Sequence, residues 1–288
     1  MTNKIIMKKR ILTLILSVLI SGLAYSQSLS KEVKYGGRIM YDMAVWGDTA
    51  MDNTGTEFRR VRFYNSGKLY GNVKYKLQLD FAGGKITFKD VWMELGELPI
   101  NGNLRVGHFK EPLRLEALTS SKYITFIERA LPIAFAPERN TGAIYHTTFR
   151  DRLSLQSGVF REGNSFGNDK DATNNINITS RITYLAMNDD SKTLHLGASN
   201  SIRKNSEHTY EVSTRAENHL GTNLISANFE YIDKTNILGA EIAYVNNALS
   251  VQAEYLQTTV IGTTETELSS YYGQISYFLT GERRTYKN

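Results

Sequence analysis

The chain contains no cysteine. That excludes a disulfide framework, a thiolate metal site and a cysteine nucleophile. Proline is scarce, with four residues in 288 against 22 glycines and 17 tyrosines. Few prolines with many glycines and tyrosines suit long strands joined by turns. Beyond residue 26 there is no apolar run approaching the roughly 20 residues of a membrane-spanning helix. Chemistry-bearing constellations are missing as well. His108, His146, His195, His208 and His219 show no metal-ligand spacing with carboxylates. No glycine-rich phosphate loop is present. Serines and histidines occur, but nothing singles out a nucleophile, base and orienting group for a barrel enzyme.

The formal net charge of +5 is concentrated at the start of the chain. Lys4, Lys8, Lys9 and Arg10 lie in the first 26 residues with no acid among them, and removing them leaves 30 basic and 29 acidic residues. A nearly neutral remainder provides no field for a nucleic acid. Residues 1–26 read as a secretory signal peptide. Met7–Arg10 is the positive stretch, Ile11–Ile20 the apolar core, and Ala24-Tyr25-Ser26 the small-residue cleavage site before Gln27.

From residue 33 onward the dominant period is two. Val73, Tyr75, Leu77, Leu79 and Phe81 alternate with Lys74, Lys76, Gln78 and Asp80. A helix would scatter such residues around its circumference, whereas a strand sorts them onto two faces. The pattern recurs in about fourteen runs, at 33–46, 56–65, 72–82, 86–95, 102–110, 141–150, 153–162, 175–187, 193–204, 209–217, 223–232, 236–245, 248–259 and 268–279. Most approach the 9–11 residues of a tilted membrane strand. Connections alternate between short ones, such as 150–152, 188–192 and 246–247, and long polar ones at 47–55, 163–174 and 259–267. That asymmetry of rims belongs to outer-membrane barrels. Tyr35, Trp46, Tyr64, Tyr70, Phe81, Tyr184, Tyr231, Tyr244, Tyr255, Tyr271 and Tyr272 sit near strand ends, where interfacial girdles would place them, though tyrosine is also simply a good strand former. The expected fold is all-β, a transmembrane antiparallel β-barrel over residues 27–288.

Residues 111–140 interrupt the alternation and hold three of the four prolines, Pro112, Pro132 and Pro137. A structureless loop of about thirty residues is uncommon and usually functional. A segment this apolar is expected to fold into the lumen and constrict it.

At this point the sequence resembles a known family, the phosphate-selective porins O and P. The resemblance is carried by Gly107-His108-Phe109-Lys110-Glu111-Pro112, Leu115-Glu116, Thr119-Ser120-Ser121, Phe126, Glu128-Arg129, Leu131, Phe135, Pro137, Arg139 and Gly142. Phe58-Arg59-Arg60-Val61-Arg62 and Ser276–Glu282 are similar to further family segments. The resemblance implies a sixteen-stranded barrel in the full-length family, usually trimeric, whose third loop folds inward and whose pore is lined by Arg and Lys selecting phosphate. It therefore implies an outer-membrane porin, a passive channel for small hydrophilic solutes and ions with weak anion or phosphate preference. The partners implied are outer-membrane lipid, small anions and two further copies of the chain, with no cofactor. A non-channel barrel, an exported adhesin and a barrel enzyme are the alternatives.

Parity selects the residues that would carry transport. Arg38, Arg60, Arg62, Lys74 and Lys76 lie opposite the apolar residues of their strands and are expected to form a basic stripe facing the lumen. Arg59, of the other parity, is expected at the rim. In the inward loop Lys110, Arg114, Lys122, Arg129 and Arg139 are opposed by Glu111, Glu116, Glu128 and Glu138. Glu128, Arg129 and Arg139 have two readings, as constriction charges or as pairs that hold the loop to the wall, and burial favours pairing. The charged ending Glu282–Asn288 and the count of about fourteen strands against sixteen read as a C-terminal truncation by one hairpin.

Overall fold

The computed structural model describes residues 32–46, 55–169, 175–205 and 207–286. The expected signal peptide and nearly all of loop 47–55 lie outside the described residues. Fourteen strands follow in order: β1 (Glu32–Ala44), β2 (Gly55–Leu69), β3 (Val73–Asp80), β4 (Thr87–Leu98), β5 (Gly102–Lys110), β6 (Arg139–Phe149), β7 (Leu153–Arg161), β8 (Asn177–Asn188), β9 (Lys192–Lys204), β10 (Thr209–Arg215), β11 (Asn223–Glu230), β12 (Ile232–Asn246), β13 (Leu249–Gly262) and β14 (Glu265–Tyr277). Among the described residues the helical content is slight: three short 3-10 turns and one four-residue α-helix, α1 (Leu115–Leu118).

Twelve strands form one antiparallel sheet in the order β1 to β9, then β12 to β14. Among the described residues β1 and β14 are the two ends of this order and do not pair with each other. The expectation of a single fourteen-stranded sheet is corrected by β10 and β11. They pair only with one another, because β9 continues directly into register with β12 from Lys204↔Lys234 onward. The β10–β11 hairpin is thus an excursion of the β9–β12 connection. His219 in its turn reaches Glu57 of β2, with Nδ1 2.7 Å from Oε1. The long loop expected at 259–267 is also corrected. The alternation persists through it, so β13 runs to Gly262 and β14 starts at Glu265.

Burial runs inside out relative to a soluble protein. On β1 the apolar parity is exposed, with Tyr35 at 70%, Ile39 at 72% and Met43 at 71%, while the polar residues Arg60, Glu94, Thr179 and Ser201 are buried. This distribution fits a sheet whose convex face meets lipid and whose concave face encloses polar side chains. Small buried apolar clusters occur where the wall or the loop packs inward: Phe109, Ile144 and Phe160, and Leu113 with Ile237 and Leu256. Among the girdle candidates, Tyr35, Tyr184, Tyr231, Tyr255 and Tyr271 are exposed. Tyr64 and Tyr272 instead contact inward-facing charges, with Lys76 over the Tyr64 ring and the Tyr272 hydroxyl donating to Glu254 at 2.6 Å.

Candidate functional site

Between β5 and β6 the chain leaves the sheet for residues 111–138, and this segment contacts inward-facing side chains on both sides of the sheet. On one side Arg38 of β1 donates through Nη1 to the hydroxyls of Ser120 and Ser121, at 3.2 and 2.6 Å. Glu128 accepts from Arg60 Nη2 at 3.0 and 3.1 Å, and from Arg59 Nε. On the other side the Glu254 carboxylate of β13 accepts from the backbone N–H groups of Leu115 and Glu116, at 3.0 and 2.8 Å, which are orphan donors at the start of α1. Leu113 inserts between Ile237 and Leu256. Glu111 accepts from Arg203 at 3.0 Å and from Asn140 at 2.6 Å, tying the loop base to β9 and β6.

Of the five cations expected from parity to form a stripe, four are paired with carboxylates. Arg60 meets Glu128, Arg62 Nε meets Asp80 at 2.7 Å, Lys76 meets Asp90 at 2.6 Å and Lys74 meets Glu94 at 3.3 Å. Arg38 alone has hydroxyl partners in place of a carboxylate. Lys74 stands apart from the other four, in a separate cluster with Arg105, His146 and Glu94.

Arg59 corrects the reading of the rim. The β1–β2 register shifts between Met40 and Tyr41, whose partners are Arg60 and Phe58, so Arg59 is the extra residue of a β-bulge. A bulge lets two successive residues face the same side, and Arg59 joins Arg60 on Glu128. A second bulge lies in β4 opposite Leu77 and Leu79, whose partners are Val91 and Phe88. It brings Lys89 and Asp90 to the same face, within reach of Asp80 and of Lys76 and Arg139. Neither bulge is marked in the sequence by a glycine or proline; the signal available was the doubled charge, Arg59-Arg60 and Lys89-Asp90, at a place where strict alternation allows one.

Of the loop residues, Arg139 bridges Asp90 at 2.9 Å and Glu138 at 2.7 Å. Lys110 lies 3.5 Å from Glu138 and donates to the Ala117 carbonyl. Among the described residues Arg129 has no carboxylate within ion-pair distance and is spent on two backbone carbonyls, of Glu116 and Thr119, both at 2.8 Å. Glu116 faces inside the loop and accepts from the Ala130 N–H at 3.1 Å. Arg114 is 1% exposed and stands 3.6 Å from Glu116 and 3.8 Å from Glu254. Lys122 makes no ion pair among the described residues, and its side chain is exposed. The pairing reading therefore holds for Glu128 and Arg139, and Arg129 holds the loop to itself.

Collected in space, and apart from the separate Lys74, Arg105, His146 and Glu94 cluster, the wall from β1 to β6 and the adjoining loop bring nine cations, Arg38, Arg59, Arg60, Arg62, Lys76, Lys89, Lys110, Arg129 and Arg139, against the six carboxylates Asp42, Asp80, Asp90, Glu116, Glu128 and Glu138. The near balance along residues 110–139 is thus not the balance at the wall. Burial works against the Glu138 carboxylate, yet the charges of Arg139, Lys110 and Arg129 overcome it and hold its pKa below the usual carboxylate range. Burial pushes the Glu116 carboxyl the other way, upward, and the Glu254 charge adds to the rise. On the opposite wall Glu111, Glu241 and Glu254 are matched by Arg203, Arg181 and Arg114. An anion passing between the walls would meet the cation excess and the Ser120 and Ser121 hydroxyls on one side and a balanced wall on the other.

Among known proteins, the family model for the phosphate-selective porins O and P matches residues 33–288. Porin O of Pseudomonas aeruginosa is 26% identical over 88% of this chain and 66% of its own length. An uncharacterized protein of Caulobacter vibrioides is 26% identical over 81% of this chain and 49% of its own. The chain thus spans between half and two thirds of these relatives. Among solved structures, OmpT, an outer membrane protein of Vibrio cholerae, superposes with a TM-score of 0.53 at 9% identity, over 88% of this chain and 72% of that one. At that identity the likeness concerns the fold.

Proposed function

The chain belongs to the phosphate-selective porin O and P family, and from that premise we propose that it forms a passive diffusion channel in the outer membrane with a preference for small anions, phosphate among them. The observation that carries the reading is the cation excess at the β1–β6 wall, nine against six, facing a loop that reaches both walls. Rings of Arg and Lys favour anions by replacing part of their hydration with charge-assisted hydrogen bonds. Residues 111–138 act as the constriction in this reading, which is supported by their contacts to the wall, Ser120 and Ser121 with Arg38 and Glu128 with Arg59 and Arg60.

Each member has a role in this reading. Arg38, with a guanidinium Nε that has no hydrogen-bond partner among the described residues, is the group best placed to exchange a hydroxyl for an anion oxygen. Ser120 and Ser121 are the hydroxyls it would share with that anion. Arg59, Arg60 and Arg62 supply the surrounding positive field, held in place by Glu128 and Asp80. Export by the signal peptide of residues 1–26 and assembly as a homotrimer belong to the same proposal. No chemical step is assigned to the chain, and its membership of a porin family is consistent with that.

The test is reversal potential across a potassium chloride gradient in a planar bilayer, followed by titration with inorganic phosphate. Anion preference and a phosphate-dependent fall in chloride current are expected. Cation preference at neutral pH would refute the assignment of the basic wall to the conducting path.

A further inference from the structure

After β14 the chain turns back onto its own sheet. The Phe278 N–H donates to the Ala248 carbonyl at 3.0 Å, and Gly281, at a φ of +88° that suits glycine, reverses the backbone. Residues 283–286 then lie against the inward side chains of β9, β13 and β14 beside the short-turn rim. Arg283 donates to the Asp190 carbonyl at 2.7 Å and to the Thr193 hydroxyl at 2.8 Å. The Tyr286 hydroxyl stands 2.8 Å from His195 Nδ1, whose other ring nitrogen is 2.8 Å from Glu241. Thr193, His195 and Ser250 are buried at this place.

Arg284 has a different set of partners. Its Nε donates to the Ser250 hydroxyl at 3.3 Å, which fixes it to the wall. Its two terminal nitrogens reach residues 111–138: Nη1 donates to the Tyr123 carbonyl at 2.6 Å and Nη2 to the Thr125 hydroxyl at 3.1 Å. A guanidinium is a planar fork of fixed donors, so one side chain can hold wall and loop at once. The loop has other holders, but not here. Arg38 holds Ser120 and Ser121, Arg59 and Arg60 hold Glu128, and Glu254 holds the start of α1. Among the described residues, the hydrogen bonds that residues 122–127 make outside the loop are those from Arg284. Tyr123, Phe126 and Ile127 are exposed, so packing gives this stretch little hold.

We infer that Arg284 is a positioning residue of the passage. It pins Tyr123 and Thr125 from 161 and 159 residues downstream, and so sets where the tip of the loop stands. The inference rests on the reading of residues 111–138 as the constriction. A lost hydrogen bond from a charged donor shifts a held-to-released equilibrium by about tenfold or more. Without Arg284, residues 122–127 keep their covalent ends at Ser121 and Glu128 but lose their support between them.

The test uses the full chain in planar bilayers. Arg284→Ala is expected to raise about tenfold the fraction of time spent away from the wild-type conductance level, with the heat-modifiable gel mobility of the folded barrel unchanged. Arg284→Lys keeps the charge but loses the fork, and is expected to fluctuate as well with an unchanged anion-to-cation ratio. In a chain lacking residues 114–136, Arg284→Ala is expected to add nothing. The absence of native cysteine allows a second measurement that does not depend on the alanine variant folding. The pair Thr125→Cys, Arg284→Cys should be joined by a short bis-maleimide, seen as a linked peptide by mass spectrometry, and its current should become quiet on linking. An alanine variant as quiet as wild type, an effect that persists without the loop, or a cysteine pair that does not link overturns the inference. So does a lysine variant indistinguishable from wild type, which would assign the role to charge alone. If the linked peptide forms while removing residues 114–136 leaves conductance unchanged, the constriction reading falls and the hold of Arg284 on the loop stands.

Discussion

Glu128 is the most informative single residue to change. It comes from the loop and accepts from Arg59 and Arg60 at once, with Arg60 2% exposed. Glu128→Gln removes one negative charge from a cluster of nine cations and six carboxylates while keeping the shape of the side chain. Two effects compete. A fully buried ion pair that loses one partner is destabilised by about 3–5 kcal/mol. Here the Glu128 side chain keeps 13% exposure toward the lumen, so water moderates that cost. The electrostatic effect on transport is easier to bound. One unit charge acting on an ion about 4 Å away in a water-like medium is worth about 1 kcal/mol, which corresponds to a change of about fivefold in local anion concentration. At 0.15 M salt the Debye length is about 8 Å, so only ions passing close to Arg59 and Arg60 gain the full amount. Because the same charge change gains anions and excludes cations, the anion-to-cation permeability ratio from reversal potentials should rise by a factor between about five and twenty-five at low ionic strength, and the rise should fade in 1 M salt. A ratio that stays constant or falls would mean that the Arg59–Glu128–Arg60 cluster lies off the conducting path.

Four further perturbations probe the same site. Replacing Arg60, Arg62, Lys74 and Lys76 together with alanine frees Glu128, Asp80, Glu94 and Asp90 from these partners; reversal potential should show the anion preference abolished and tending toward cations, and unchanged selectivity would refute a role for the stripe. Deleting residues 114–136 removes the contacts to both walls and should raise single-channel conductance about twofold or more if the loop constricts the passage. Because the folded-state pKa of Glu138 is depressed, its contribution to loop anchoring is fully present above the ordinary carboxylate range of about 4.3 and is lost only as pH falls through its lower folded value. Conductance fluctuations should thus stay as they are from pH 7 to about pH 4, and Glu138→Gln should introduce them already at pH 7. Lysine at Arg129 keeps the charge but loses the guanidinium fork that holds the Glu116 and Thr119 carbonyls; current noise should increase with selectivity little changed.

The fold was legible because a barrel strand writes its two environments on alternate residues, and β3 shows this most cleanly: Tyr75 and Leu77 on one parity, Lys74 and Lys76 on the other. The excursion 111–138 was legible for the complementary reason, since prolines and unbroken apolar stretches cannot alternate. The β10–β11 hairpin was not, because its residues alternate as well as any wall strand and only the direct β9–β12 register reveals that they stand aside. Tyr64 and Tyr272 were misplaced because tyrosine serves both a lipid interface and a polar lumen, and the sequence does not say which end of the ring is wet.

For the candidate site, parity could mark cations that share a face but could not give their charge balance. Parity identified Arg38, Arg60, Arg62, Lys74 and Lys76, yet the electrostatics depend on which carboxylates reach them, and those come from cross-strand and loop contacts tens of residues away, such as Arg62 to Asp80 and Arg60 to Glu128. Both bulges lie on this wall, at Arg59 and at Lys89-Asp90. Each converts a pair of adjacent charged residues, one of which alternation would send into lipid, into two charges on the inner face. Placing a lone guanidinium or ammonium on the lipid side costs a few kcal/mol near the bilayer midplane, so the doubled charges themselves favour the bulged register over the regular one. The same local irregularity that hid Arg59 from a period-two reading is what concentrates positive charge beside the loop.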